Sequence, residues 1–418
     1  MTKQEAAIKY ITENYLDFNR LRHDVIADKL QVRLLGDEAK GKRQEYWKEL
    51  SKHDINSIVC HCAQEYDANI TSREVMTALQ SDLIPDVHPL REYVLSCGEW
   101  TEEQPDWIDW VAQQVTVKPL GDEAKGDKAR GERLWRGCFK KWFVAMVASW
   151  MKDEVVNHQV LVLIGKQGIF KTTWLEHLIP PHLRAYACKL ANSNDLNKDE
   201  RLRIAEFGLI SLDKIDSMNN RELNQLKSII TSTDVNERAA YAYSKERRVR
   251  LASFCASGNR KDFLTDITGN RRWLPFEVES IQNPFFTILP YDLMYAQAWA
   301  LANDPKFSYW FDLDEIETIE QHNQHFRDES NEEQLIDVYF SVPAEGASNA
   351  KFLTTAEISE RLIYFGNIKR PLTLSRLGVL LSQKGFLSVR RGTPCRRGWL
   401  VYERDTEEVN ADRKLLAK

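Results

Sequence analysis

The sequence predicts an α/β core, preceded by a mainly helical N-terminal region and followed by a small basic unit. Three observations predict it. Apolar runs at Val160–Ile164, Phe207–Leu212 and Ser253–Asn259 alternate with amphipathic stretches, as in a parallel sheet buried between helices. A glycine-bearing turn, Gly165-Lys166-Gln167-Gly168-Ile169-Phe170-Lys171-Thr172, joins the first run to an amphipathic helix. Charge is also segregated: Asp312–Glu345 carries eleven acids against one base, and Lys351–Arg404 carries eleven bases against three acids.

At 418 residues the chain has room for two or three domains. Its composition, 43% hydrophobic and 28% charged, excludes a largely disordered or collagen-like protein. No apolar run approaches the roughly 18 to 20 residues that cross a bilayer, and the N-terminal MTKQEAAIKYITENY is too polar for a secretory signal. No membrane partner is expected. The seven cysteines are scattered, and Cys60-His61-Cys62 lacks the paired spacing of a zinc site. Reduced thiols and a cytoplasmic location are the expectation.

Four sections are expected along the chain: residues 1–132, mainly helical; 133–304, the α/β core; 305–345, an acidic helix or linker; and 346–418, the basic unit. The heptapeptide LGDEAKG occurs at Leu35–Gly41 and again at Leu120–Gly126. Its flanks do not match, so two loops of like composition explain it better than a duplicated domain.

The turn after Val160–Ile164 approximates the phosphate-loop pattern G-x-x-x-x-G-K-[ST], with Gly165, Lys171 and Thr172 in register and Phe170 in place of the last glycine. Gly165 and Gly168, with Gln167 between them, let backbone N–H groups face phosphate oxygens, and the helix start at Thr172 and Thr173 adds positive potential. Phe170 carries a Cβ where glycine is usual and is therefore expected to keep an ordinary negative φ. Lys171 suits the β- and γ-phosphates of ATP, and the Thr172 hydroxyl suits Mg2+. Phe207–Leu212 ends in Asp213, a second carboxylate for the metal, followed by Lys214 rather than an acid; Asp216 is the substitute base. Asn259 ends the next strand as a sensor of the γ-phosphate. Arg271 and Arg272 beside a Gly-Asn turn suit a cation offered to a neighbouring subunit, or a structural turn.

Two basic clusters point toward DNA. Lys245, Arg247, Arg248 and Arg250, with Tyr241 and Tyr243 nearby, suit a hairpin lining a channel for single-stranded DNA; a solvated hairpin tip explains them as well. In the basic unit, two helical periods and a strand pair resemble a winged helix, whose second helix enters a duplex groove while Arg390, Arg391, Arg396 and Arg397 contact phosphates. The same shape also serves protein contacts.

Taken in order, GKQGIFKTTW, GLISLDKIDSMNNRELNQLK, NERAAYAYSKERRVR, ASFCASGN and DITGNRRWLPFEV resemble the virulence-associated E family of P-loop ATPases, related to superfamily 3 and AAA+ replicative helicases of phages and mobile elements. The resemblance implies an AAA+-like core, ATP and Mg2+ as cofactors, a homo-oligomer with a hexameric ring favoured, and ATP-dependent DNA translocation in replication of a mobile element. Phe170 and Lys214 depart from the family pattern. The second depresses hydrolysis, which leaves an alternative: a nucleotide-switched DNA-binding protein with little turnover, acting as a helicase loader or a regulatory or anti-phage interaction protein.

Overall fold

The computed structural model describes residues 1–34, 46–66, 69–119, 128–190, 203–237, 246–264, 270–327, 331–344, 349–366, 368, 371–391, 395–405 and 408–409. Both copies of LGDEAKG lie outside them. The chain divides into two compact units, Met1–Phe263 with Arg271–His325, and Leu264–Asn270 with Phe326–Lys418.

The first unit opens with α1 (Lys3–Ile11), β1 (Leu21–Asp24), β2 (Lys29–Leu34), β3 (Tyr46–Glu49), α2 (Lys52–Tyr66), α3 (Ser72–Leu79) and β4 (Asp86–Val87). The strands form a sheet in the order β3-β2-β1-β4, over a core of its own that includes Ile11, Leu21, Val32, Ile58 and Val75. This segment is therefore mixed α/β rather than mainly helical. The β1–β2 turn has neither Gly nor Pro. The buried Asp24 carboxylate builds it instead, accepting the Ile26 and Ala27 N–H groups at 2.9 and 3.2 Å, and Asp28 takes a left-handed φ of 54°.

The core follows as α4 (Pro89–Ser96), α5 (Trp107–Ala112), β5 (Val115–Val117), α6 (Lys128–Met151), β6 (Val160–Ile164), α7 (Lys171–His177), β7 (Ala187–Leu190), β8 (Leu209–Leu212), α8 (Asn220–Thr231), β9 (Asp234–Glu237), β10 (Glu246–Val249), β11 (Ser253–Gly258), β12 (Trp273–Ile281), α9 (Tyr291–Asn303) and α10 (Leu313–Asn323). Six strands make one sheet in the order β5-β12-β6-β11-β8-β7, parallel except for β5. Because β5 pairs with β12 and α4 and α5 pack into the same core, this body begins near residue 89 rather than 133. The acidic stretch is not one linker: α10 belongs to the first unit, where Asn323 and His322 contact the Trp273 and Pro275 carbonyls of β12 at 3.0 and 2.7 Å.

Helix α6 fastens the sheet. Trp135, Trp142 and Trp150 recur at one-face helical spacing, and all three are buried. Their indole N–H groups donate to Ala112, Phe254 and Gly208 carbonyls at 2.9, 3.1 and 3.1 Å. Trp150 reaches the main chain before β8 because position 208 is glycine; a Cβ there would lie 2.9 Å from the indole. The register sets the edge of the sheet: Ile164 lies opposite Gly258, and Leu212 opposite Ala256. Gly165, Asn259 and Asp213 therefore emerge together at the carboxyl ends of β6, β11 and β8. In open parallel sheets this edge, beside the strand where the connection reverses direction, is where ligands bind.

The second unit contains α11 (Asn331–Tyr339), β13 (Phe340–Ser341), β14 (Lys351–Leu353), α12 (Thr355–Gly366), α13 (Leu374–Gln383), β15 (Leu387–Arg391) and β16 (Arg396–Glu403). Strand β16 pairs antiparallel with β13, β14 and β15. Ile358, Leu362, Leu377, Leu381, Trp399 and Val401 form its core. Among the described residues of both units, no helix is long and apolar enough to cross a membrane.

Arg250 is buried, and among the described residues no acid pairs with it. Its guanidinium donates to the carbonyls of Ala252 at 3.1 Å, Asn157 at 2.8 Å, Ser232 at 3.3 Å and also Ile230. Burial pushes its pKa down to about 9. It ties the end of β10 to the α8–β9 turn and the segment before β6. Replacing it by Met leaves several carbonyls without a donor, at about 1–3 kcal/mol each. Arg250→Met is expected to lower the stability of the first unit by about 3 kcal/mol or more, read as a lower thermal unfolding midpoint; an unchanged midpoint would refute this role.

Candidate functional site

The loop between β6 and α7 is shaped by three unusual backbone positions. Gly165 passes so close to β12 that a Cβ would sit 2.8 Å from the Val278 carbonyl oxygen. Gly168 adopts φ 85° in open space. Phe170 adopts φ 65° and ψ 16°, which corrects the expectation of an ordinary φ. That left-handed conformation, which glycine takes freely, costs a residue with a Cβ about 1–2 kcal/mol. Among the described residues no side chain caps the start of α7. Gln167 is exposed, while Thr172 and Thr173 are half-buried in the first turn.

Lys171 is buried. Its Nζ donates to the Gly165 and Lys166 carbonyls at 2.8 and 2.7 Å and to Asn259 Oδ1 at 3.4 Å. Burial lowers its pKa from the ordinary lysine value, against the opposing pull of Asp216 and Asp213. The ammonium is therefore held by neutral oxygens in the curl of the loop, with two carboxylates further off.

Those carboxylates are positioned separately. Thr172 Oγ1 lies 2.8 Å from Ser257 Oγ, which donates to Asp213 Oδ1 at 3.2 Å. The first turn of α7 and the ends of β11 and β8 are thereby joined through one hydroxyl. Asp213 Oδ2 faces Lys189 at 3.4 Å, and Lys189 reaches Glu176 at 3.7 Å. Asp216 is the more enclosed acid. Its Oδ2 accepts the Arg260 N–H at 3.1 Å, whereas its buried Oδ1 has no hydrogen-bond partner among the described residues. Lys214 is exposed at φ 54° and makes no ion pair among the described residues. The cations paired with the two acids are Lys189 and Arg260, neither of them singled out by sequence. Ser257 carried a signal, a hydroxyl at the carboxyl end of a buried, largely apolar strand. Lys189 carried none, since only the β7–β8 register brings it to Asp213.

The structure does not bring Arg271 and Arg272 to this group. Trp273 pairs with Val160 at the start of β6, so both arginines precede the opposite end of the sheet, about 15 Å of strand away from Gly165. The Gln159 side-chain amide, oriented to satisfy its nitrogen, donates to their carbonyls at 2.9 and 3.1 Å.

The first basic cluster divides. Strands β9 and β10 do form a hairpin, with Arg247 opposite Asn236. Lys245, Tyr241 and Tyr243 fall outside the described residues. Arg248 faces Asp28 at 3.4 Å and Glu206 at 3.8 Å, and Arg250 is the buried group described above, which removes it from any DNA-facing set. In the second unit, Arg390 lies opposite Arg397 and Arg391 opposite Arg396. All four are exposed, one pair on each face of the β15–β16 hairpin. Arg397 Nε donates to Ser388 Oγ at 2.9 Å.

Comparison with known proteins finds a likeness over the core. No curated protein matches the chain. Among solved structures, the apo structure of the NrS-1 C terminal region (305–718) is similar at 11% identity and TM-score 0.46, covering 96% of this chain and 99% of that one. An A-form apo structure of that region matches at 11% identity and TM-score 0.44, covering 91% of this chain and 96% of its own. Residues 127–328 match the virulence-associated protein E-like domain. The loop, Lys171, Asp213, Asp216 and Ser257 all lie inside the matched residues.

Proposed function

We propose that this protein is an ATP-dependent DNA translocase or helicase serving replication of a phage or mobile element. The observation that carries this reading is the convergence of Lys171, the Thr172–Ser257–Asp213 chain and Asp216 at the carboxyl ends of β6, β11 and β8. The residues fit a nucleoside triphosphate and its metal: a buried ammonium sits on neutral oxygens, and a buried carboxylate oxygen lacks a partner among the described residues. Thr172 and Asp213 would hold Mg2+, which neutralises charge between the β- and γ-phosphates when bound. Lys171 exchanges loop carbonyls for phosphate oxygens, and Asn259 orients the attacking water. Asp216 Oδ1 accepts the proton of that water. Lys214, turned to solvent, leaves this role to Asp216.

The hairpin of β9 and β10 would meet single-stranded DNA through Lys245 and Arg247, and the second unit, read as a winged helix, would meet duplex through its exposed arginines. A homo-oligomer, with a hexameric ring favoured, would let Arg271 and Arg272 serve a neighbouring subunit, which suits their distance from their own loop. One observation favours a second reading, a nucleotide-switched DNA-binding protein with little turnover: Arg260 already holds Asp216 through its main chain and its guanidinium.

DNA-stimulated phosphate release decides between them. Lys171→Ala is expected to abolish measurable ATP binding. Asp216→Asn is expected to keep binding and lower kcat by about 10^2 to 10^4-fold. A parent that binds ATP and DNA without turnover supports the second reading, and unchanged ATP affinity in Lys171→Ala refutes both.

Affinity should also depend on pH. The ammonium is present below the Lys171 pKa and lost above it, and burial lowers that pKa. ATP affinity measured by calorimetry from about pH 7 to about pH 10 is expected to fall before an ordinary lysine would titrate. A flat profile would contradict the contact.

Duplex binding is expected to weaken on Arg390→Ala with Arg397→Ala, and the salt dependence of log affinity to flatten by roughly 1.8 units for two lost phosphate contacts. An unchanged salt slope would show that these arginines only face solvent.

A further inference from the structure

The segment after β12 exposes large apolar side chains beside the phosphate loop. Phe285 is 68% exposed and Phe286 86% exposed. They stand on a fixed turn: Asn283 Oδ1 accepts the Phe285 N–H at 3.0 Å, and its carbonyl accepts the Phe286 N–H at 3.1 Å and the Thr287 hydroxyl at 3.2 Å. Leu289 anchors the far end in the core. The Phe285 ring meets two others edge to face, Phe170 at 6.3 Å and His177 at 5.6 Å between centroids. Phe170 directly precedes Lys171, and His177 ends the helix that Lys171 begins. An aromatic surface held open to solvent is thus continuous with the residues aimed at phosphates.

Burial does not explain this surface, because the rings remain largely in water, where exposed apolar groups of this size mark contact sites. A nucleotide held at Lys171 through its β- and γ-phosphates carries its base beyond the α-phosphate and one ribose. A flat heteroaromatic ring is the chemistry that rings in this arrangement recognise. We propose that Phe285, supported by Phe170 and His177, is the stacking platform for the base of the bound nucleoside triphosphate. This rests on the phosphate-site reading above. It also gives Phe170 a task that glycine could not perform, which accounts for a side chain at a left-handed position.

The test compares MgATP with inorganic tripolyphosphate, which presents the same phosphates without a base. The parent is expected to bind MgATP about 5- to 150-fold more tightly than tripolyphosphate, the worth of one stacked base. Phe285→Ala is expected to remove most of that preference while leaving tripolyphosphate affinity unchanged, which also shows that the variant is folded. Phe285→Trp is expected to retain the preference. If the parent binds both ligands and Phe285→Ala leaves the preference intact, the stacking proposal fails alone. That holds also if the variant instead changes only the mass of the protein in solution, which would make the surface a contact between copies. If the parent binds neither ligand, the phosphate-site reading fails and this proposal with it.

Discussion

The structure depends on the attachment of α6 to the central sheet. Three indoles on one helical face each end in a hydrogen bond to a main-chain carbonyl, at Ala112, Phe254 and Gly208. A buried indole N–H is costly without an acceptor, so each of these three tryptophans fixes position as well as contributing apolar area. Phe254 lies in β11 and Gly208 just before β8, so the helix locks two strands whose far ends carry Ser257, Asn259 and Asp213. Level strand ends are what make a site out of residues nearly 90 positions apart in sequence. A slip by one residue would turn Ser257 away from both Thr172 and Asp213.

Charge at that edge is kept in separate compartments. Asp213 has Lys189, Asp216 has Arg260, and Lys171 rests on main-chain carbonyls. Collapse of Lys171 onto either acid would form a stable ion pair and spend the cation. The curl of the loop prevents it by offering neutral acceptors at 2.7–2.8 Å. The same loop makes a left-handed turn at Phe170, a strained backbone position beside that cation.

The basic residues sort themselves by burial rather than by count. Arg250 is a structural strut among carbonyls, Arg248 faces two acids, and the four arginines of the β15–β16 hairpin stand in two facing like-charged pairs. Facing like charges destabilise a hairpin, so this last arrangement is the one whose repulsion an anion would relieve.

Much was legible in the sequence where short-range chemistry decides the outcome. Val160–Ile164 has the short, fully apolar run of a strand buried on both faces, and Gly165, Lys171 and Thr172 stand at the spacing of a strand–loop–helix turn. Asp213 follows an apolar run short enough to be β8. The N-terminal sheet was not legible, because Asp24 and Asp28 make a turn that glycine usually makes, and their hydrogen bonds do not register in a hydrophobic period. Nor were the boundary near residue 89, the division of the acidic stretch, or the burial of Arg250, since each depends on which distant strand or carbonyl lies alongside. The same holds for Lys189 and Arg260 beside their acids, and for Phe285 beside Phe170. Within the core, periodicity and glycine sterics set which segments become strands and helices and where the loop turns. Only the tertiary structure decided which charges meet, because strand order and register, not spacing along the chain, set the distances over which electrostatics acts.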